Sequence, residues 1–250
     1  MTSFKTNTYS IKSEGKSFYW ASFFLPKKNR IAASRLYSIC RYLDDVADNS
    51  KLDTSSQIKN IFNQIKENES SEINIFFKKN NINLGILKDL IDGLISDQQN
   101  VRVTDEKELI DYSYKVAGTV GLMMLPIINT KDAEARKHAI DLGIAMQLTN
   151  IARDVVEDES INRKYINGDF SSITETLSHA DDFYRKSYFS IKEIPIRSRF
   201  SIIVARRLYQ KIGNYILDKK NKENYIKAGK IYVPLYRKIL ETLFSLFDFI

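Results

Sequence analysis

The sequence predicts an all-α protein, a single helical domain over residues 1–250, on three observations. Pro and Gly are scarce, 4 and 9 in 250 residues, which argues against a turn-rich β-sandwich and leaves room for long helices. From Ser17 onward apolar residues recur at helical spacing instead of alternating. The length suffices for one substantial core, and no linker or internal repeat divides the chain.

Taken in order, residues 1–16 read as a polar lead-in. The periodicity predicts helices near 17–25, 29–48, 55–67, 83–98, 105–129, 132–158, 170–189, 195–218 and 231–248. Asn-, Lys- and Ser-rich stretches at 49–56, 68–71 and 219–224 read as loops. The segment 57–83, rich in Asn, Lys and Ile, reads as helix and loop without chemistry of its own.

The charge balance is +7, spread along the chain, which suits a polyanionic partner: nucleic acid, an anionic membrane surface or a small diphosphate. A solvated basic surface would give the same balance. The lone Cys40 excludes an internal disulfide and, beside Ile39, reads as a buried, inert thiol. His138 and His179 are too far apart in sequence to form a metal-ligand spacing. The polar N-terminus predicts no signal peptide, and no apolar window is long enough for a membrane span. A cytoplasmic protein is expected, with contact to the inner face of the membrane at most peripheral. Lys227, Lys230, Arg237 and Lys238, interleaved with Ile226, Ile231, Val233 and Leu235, are the residues that could make that contact, though a core helix with a solvated face has the same pattern.

Two acidic stretches carry the chemistry. In Tyr37–Asp48, helical geometry places Tyr37, Arg41, Asp44 and Asp48 within a sector of roughly 60°. Asp44 and Asp48 are one turn apart, so their charges repel unless a cation stands between them. In Gln147–Asp158, Asn150, Asp154 and Asp158 form an oxygen-bearing stripe, with Ile140, Ile144, Ile151 and Val155 on another face. Oxygen ligands at this spacing suit Mg²⁺, which keeps waters and shares substrate phosphates. Each stripe has an arginine beside it, Arg41 and Arg153. Solvated aspartates are the bland alternative for either stripe alone. A di-iron centre would need Glu-x-x-His pairs, and both histidines follow a glutamate at i+4 instead.

These residues also carry a resemblance. Ser17-Phe18-Tyr19 through Leu25-Pro26 and Tyr37 through Asp48 look like the opening of squalene/phytoene synthases, most like the bacterial phytoene synthases. Ala117-Gly118-Thr119-Val120-Gly121 resembles that family's central glycine motif, and Ala145 through Asp158 its second acidic signature. The ordered set spans much of the chain. It implies an isoprenoid synthase helical bundle with a central cavity. It implies that Asp44, Asp48, Asn150, Asp154 and Asp158 hold Mg²⁺ (or Mn²⁺) and that Asp45 matches the second aspartate of the first motif. Ser17, Tyr37, Arg41, Gln147 and Arg153 should then surround prenyl diphosphates. Two segments depart from the pattern. Asn162-Arg163-Lys164-Tyr165-Ile166-Asn167 stands where Asp/Gly-Arg-x-Tyr-Leu-Pro is common, and Lys230 replaces an arginine before Tyr232. Lysine meets phosphate only as a point charge.

The implied reaction joins two allylic diphosphates head to head through a cyclopropyl diphosphate. Two C20 units would give phytoene, the first committed step of carotenoid synthesis. Two C15 units would give dehydrosqualene, or squalene if NADPH delivers hydride. Phe18, Tyr19, Phe23 and Tyr209 are candidates to shield the cations through their ring faces. Gly118 and Gly121 are read as a kink that lets the isoprenoid tail or diphosphate approach the backbone, against close helix packing as the alternative. A non-catalytic assembly protein would not need both stripes, and a nucleic-acid binder lacks any recognition motif here.

Overall fold

A computed structural model describes residues 15–48, 54–97, 101–130, 132–189 and 191–249. Most of the polar lead-in and residues 49–53 of the first expected loop lie outside these. Among the described residues the elements are helices α1 (Lys16–Ser22), α2 (Lys27–Ala47), α3 (Thr54–Glu67), α4 (Glu72–Lys79), α5 (Leu84–Ser96), α6 (Glu106–Ser113), α7 (Thr119–Ile127), α8 (Ala133–Ser160), α9 (Phe170–Tyr188), α10 (Ile196–Leu217), α11 (Lys222–Ala228) and α12 (Leu235–Phe249). The all-α expectation holds: the described residues contain no strand, only one isolated parallel bridge between Arg102 and Lys164.

Local chemistry sets the helix ends. Asp105, Asp132 and Asp169 each accept a backbone N–H at the start of α6, α8 and α9, from Glu108, from Glu134 and Ala135, and from Ser172. At α6 the Glu108 carboxylate also accepts the backbone N–H of Thr104, the residue before the cap, at 2.8 Å. Two short helices stand outside the expected set: α4 lies in the segment read as helix and loop, and α11 begins inside the expected loop 219–224. Ser71 caps α4 by accepting Asn74 N–H, and Asn221 caps α11 by accepting Asn224 N–H. Composition rich in Asn, Ser and Lys marks a cap as readily as a loop, so these short helices escaped the periodicity. The last helix starts at Leu235, behind Pro234, four residues later than expected.

The expected helix over 105–129 is one rod with a change of winding. Residues Tyr114–Gly118 form a π turn between α6 and α7. Here the reading of Gly118 and Gly121 as an approach for substrate is corrected. A Cβ on Gly121 would lie 2.2 Å from the Ala139 carbonyl oxygen, and one on Gly118 would lie 3.0 Å from Tyr114 Cδ2 in its own turn and 3.3 Å from Ile140 Cγ2 on α8. The space is occupied by α8. From the other side, a Cβ on Gly143 would lie 2.4 Å from the Ala117 carbonyl oxygen. Three glycines thus let two helix backbones touch, and that contact fixes the height of α8 in the bundle.

The core has two clusters. One joins α2, α3, α4, α5 and α7 around Leu36, Ile39, Leu43, Phe77 and Met123. The other joins α1, α8, α9, α10 and α11 around Leu148, Ala152, Ile173, Tyr184 and Leu208. Tyr114 and Ile140 pack against both, which ties the helices that carry the two acidic stripes. Cys40, half-buried, packs against the first cluster, and burial pushes its thiol up to about 12, as an inert cysteine requires. Ile231 and Val233 are buried, so the membrane-facing set read from the sequence does not form one exposed surface; of its apolar members only Ile226 and Leu235 are open.

Candidate active site

The first stripe lies on the last turns of α2. Burial of Leu36, Ile39 and Leu43 against the core leaves the opposite side of the helix open, and that side carries the charges. Arg41 spans one turn to reach Asp44 at 2.7 Å and Asp45 at 2.9 Å. Asp48 ends the helix, its N–H donating to the Asp44 carbonyl at 2.9 Å.

The second stripe lies along the C-terminal half of α8. Ile151, Ala152 and Val155 are buried in the core while Asn150, Arg153, Asp154 and Asp158 stay partly open. Arg153 chelates Asp154 through Nε at 2.8 Å and Nη2 at 2.6 Å. Tyr225 on α11 donates its hydroxyl to the Arg153 carbonyl at 2.7 Å, pinning this turn from behind. Lys230 reaches Glu157 at 2.5 Å and Asp154 at 3.6 Å, so it stands beside the stripe. Gln147 accepts a long hydrogen bond, 3.4 Å, from the Asn150 amide. Phe18 packs on Tyr209 with ring centroids 4.9 Å apart, and Arg153 is an electrostatic neighbour of Tyr209. Tyr37 is another such neighbour of Tyr209, and Ser17 is a half-buried residue of α1, next to Phe18. Tyr19 and Phe23 pack on each other edge-on at 4.8 Å. Phe23 is 49% exposed with Arg30 over its ring, a poor setting for shielding a cation from water.

Arg163 connects the two stripes, a role the sequence reading did not assign to it. Its guanidinium donates to Asp48 and lies 3.6 Å from Asp97, and its charge is felt at both Asp44 and Asp158. The route that delivers it is local. Asn162 adopts a left-handed conformation, φ 61°, and α8 closes with Arg163 N–H on the Asp158 carbonyl (2.9 Å) and Asn162 N–H on that of Glu159 (3.2 Å). Lys164 N–H then donates to the Val101 carbonyl at 2.9 Å and Val103 N–H to the Lys164 carbonyl at 3.1 Å. That bridge brings Tyr165 under the site, where its hydroxyl donates to Asp97 and accepts from Tyr112 at 3.1 Å. The retained Arg-x-Tyr of the departing segment was the available signal.

Arg163→Ala is expected to destabilise the fold by about 2–3 kcal/mol, because the carboxylate of Asp97, only 8% exposed, loses its cation. Urea unfolding of the variant checks this; a change within about 0.5 kcal/mol would mean that the tyrosine hydroxyls alone satisfy Asp97.

The electrostatics show a surplus of carboxylate. Burial, then the charges of Asp48 and Asp45, push Asp44 up to about 6 against the pull of Arg41 and Arg163. Burial and the charge of Asp154 push Asp158 up to about 7. Asn150 Oδ1 is buried with no hydrogen-bond partner. Among the described residues no three Asp, Glu, His or Cys side chains are gathered into a ready-made cation site. A divalent cation would therefore be completed by Asn150, water and a ligand's own oxygens, which is how Mg²⁺ is commonly held.

The raised carboxyls fix a sign. Between the ordinary carboxylate range, near 4, and about 7, the folded state keeps protons on Asp44 and Asp158 that the unfolded chain has released, so their contribution to stability falls as pH rises through this window. In a chelator, Asp158→Asn should flatten the decline of melting temperature between about pH 4 and 7. An unchanged slope in the variant would remove Asp158 from the charge cluster.

Comparison with known proteins follows the same residues. The squalene/phytoene synthase family model matches residues 11–243. A 15-cis-phytoene synthase from Paracoccus sp. is 28% identical over 83% of this chain and 80% of that protein. A 4,4'-diapophytoene synthase from Staphylococcus haemolyticus is 30% identical over 95% of this chain and 87% of that protein. Among solved structures, a dehydrosqualene synthase in complex with ligand superposes with a TM-score of 0.83 at 26% identity, covering 94% of this chain and 92% of that one. The chain belongs to the squalene/phytoene synthase family, the prenyltransferases that join prenyl diphosphates head to head.

Proposed function

We propose that this chain condenses two molecules of geranylgeranyl diphosphate through a cyclopropyl diphosphate to phytoene, opening carotenoid synthesis. The observation that carries the reaction class is the pair of carboxylate stripes, Asp44/Asp48 and Asn150/Asp154/Asp158, joined electrostatically through Arg163 and flanked by Arg41, Arg153 and Lys230, and the phytoene synthase relatives support the C20 substrate. The raised pKa of Asp44 and Asp158 and the unpartnered Asn150 oxygen fit a divalent cation. When bound, Mg²⁺, with Mn²⁺ as a substitute, supplies positive charge to the departing diphosphate. The five stripe residues would hold it.

The chain's own groups account for the rest. Arg41, Arg153 and Lys230 exchange a carboxylate partner for diphosphate oxygens, with Ser17, Tyr37 and Gln147 in supporting positions. Loss of the first diphosphate leaves an allylic cation, and the C2–C3 double bond of the second substrate attacks it. Proton loss closes the cyclopropane. Departure of the second diphosphate, rearrangement and a second proton loss give the hydrocarbon. The half-buried Phe18 and the buried Tyr209 present ring faces beside Arg153, where they exclude water from the cationic stages.

Condensation of two farnesyl diphosphates is a second reading. The 4,4'-diapophytoene synthase relative and the dehydrosqualene synthase structure favour it, and NADPH would enter only if the product were squalene. Incubation of the purified protein with each diphosphate and Mg²⁺, with and without NADPH, tests both readings by product mass. A C40 hydrocarbon from the C20 substrate is expected; a C30 hydrocarbon formed from the C15 substrate alone moves the assignment to the second reading.

A further inference from the structure

The first turns of α2 and α10 repeat one another. Pro26-Lys27-Lys28-Asn29-Arg30 and Pro195-Ile196-Arg197-Ser198-Arg199 each set a proline before the helix, then two basic residues with one polar residue between them. The fold lays these turns side by side. Buried Asn29 donates to the buried Ser198 hydroxyl at 3.3 Å, Phe24 meets Phe200 edge-on at 5.2 Å, and Ser201 donates to the Ala21 carbonyl at 2.8 Å. Because Asn29 and Ser198 face inward, Lys28, Arg30, Arg197 and Arg199 flank their contact. Lys27 and Lys192 stand exposed beside them, and Glu193 is the only carboxylate in the stretches 23–31 and 191–200. Among the described residues, none of these six cations forms an ion pair.

This arrangement opposes the stability of both helices. A helix N-terminus carries partial positive charge and favours acids. Helices α4, α6, α8 and α11 have an acid in the first turn, whereas α2 and α10 have none and place cations there. A local choice that works against the fold, with nothing beside it in compensation, is the mark of a surface kept for function. That function is not the condensation: along α2 the step from Lys28 to Asp44 is about 24 Å.

We propose that this end of the bundle docks an acidic segment of another protein, its carboxylates on the six cations and its apolar side chains on Phe23 and Ile196. The arginines are already held for it. Arg199 donates to the carbonyls of Ile194 at 3.2 Å and Lys192 at 2.5 Å, and Arg30 lies 5.8 Å over the Phe23 ring. A fixed guanidinium fork suits the geometry of a carboxylate. Phe23 and Ile196 are 49% and 63% exposed among these charges, and arginine interleaved with single aromatic and aliphatic side chains is the composition of a protein interface. Only the purpose, bringing up an enzyme that consumes the insoluble hydrocarbon while the diphosphate end stays open, rests on the proposed function.

The test is fluorescence anisotropy of the full chain with a fluorescein-labelled peptide of glutamate and leucine, beside its glutamine counterpart. Wild type should bind the acidic peptide alone and release it as salt rises. Lys28→Glu/Arg197→Glu should weaken binding about tenfold or more, whereas Lys59→Glu/Lys107→Glu, the same charge change on exposed residues elsewhere, stays within about twofold. The reversed pair at 28 and 197 should also melt at or above the wild-type temperature, since acids replace cations at two helix N-termini. A lower melting temperature would make the patch a structural feature and overturn the proposal. Equal losses in the two double variants overturn it too, because net charge alone would then bind the peptide. So does a wild type that does not bind, or a reversed pair that keeps the peptide but loses phosphatidylglycerol vesicles or single-stranded DNA; the cations would then serve phosphate groups. Binding is read without turnover, so its failure leaves the enzyme reading untouched.

Discussion

Asp154→Asn lowers turnover by about a thousandfold while the far-ultraviolet circular dichroism and melting temperature stay close to those of the wild type. The amide keeps the size and polarity of the side chain, and Arg153 can still donate to its oxygen, so the turn of α8 is preserved. What disappears is the negative charge. Asp154 is the residue on which the Arg153 fork (2.6 Å) and the Lys230 ammonium (3.6 Å) converge, and its charge also acts on Asp158. Asp44→Asn on the facing stripe should show the same separation of activity from stability. Steady-state rates at saturating substrate, read beside the melting curves, check both variants; full activity in the two would refute the role given to the stripes.

Gly121→Ala unfolds the protein more readily by about 3 kcal/mol, the upper end of the cost of overpacking, because the added carbon would lie 2.2 Å from the Ala139 carbonyl oxygen and 2.9 Å from its carbon. Both atoms are backbone, and neither can move without shifting α8. Gly143→Ala should cost a similar amount, its Cβ meeting Ala117 and Gly118 backbone at 2.4–2.8 Å. Gly213→Ala serves as the control: its nearest neighbour is the far end of Leu177 at 3.2 Å, and replacing a helical glycine recovers about 1 kcal/mol of propensity. Urea unfolding of the three variants decides the matter. A Gly121→Ala protein as stable as wild type would mean that α7 and α8 do not touch as described.

The parts of the site that were legible in the sequence are those that repeat along a helix. Arg41, Asp44, Asp48, Asn150, Asp154 and Asp158 can be placed on faces by counting residues, because helix geometry converts spacing into direction. Arg163, Tyr165, Tyr112 and Asp97 could not be found this way. They meet through a left-handed turn at Asn162 and a single bridge to Val101 and Val103, contacts that no periodicity encodes. The glycines were visible but their meaning was not: a missing Cβ reads alike whether a ligand or another helix fills the space. In the fold, long helices with a buried stripe were evident, whereas α4 and α11 are short helices resting on caps at Ser71 and Asn221, the first in a stretch read as helix and loop and the second beginning in one read as loop. Helix α12 turns its apolar half outward, against the rule that such faces point to the core, and only the pairing of Glu241 and Asp248 with Arg207 and of Thr242 with Trp20 fixes its direction.

The most direct test of the central claim, that the two stripes together hold a metal and a diphosphate, is the melting temperature with a non-hydrolysable thio-diphosphate analogue of a prenyl substrate. A rise is expected that needs both analogue and Mg²⁺, that is absent with a chelator, and that Asp44→Asn and Asp154→Asn each abolish. A rise independent of Mg²⁺, or one retained in both variants, would contradict that claim.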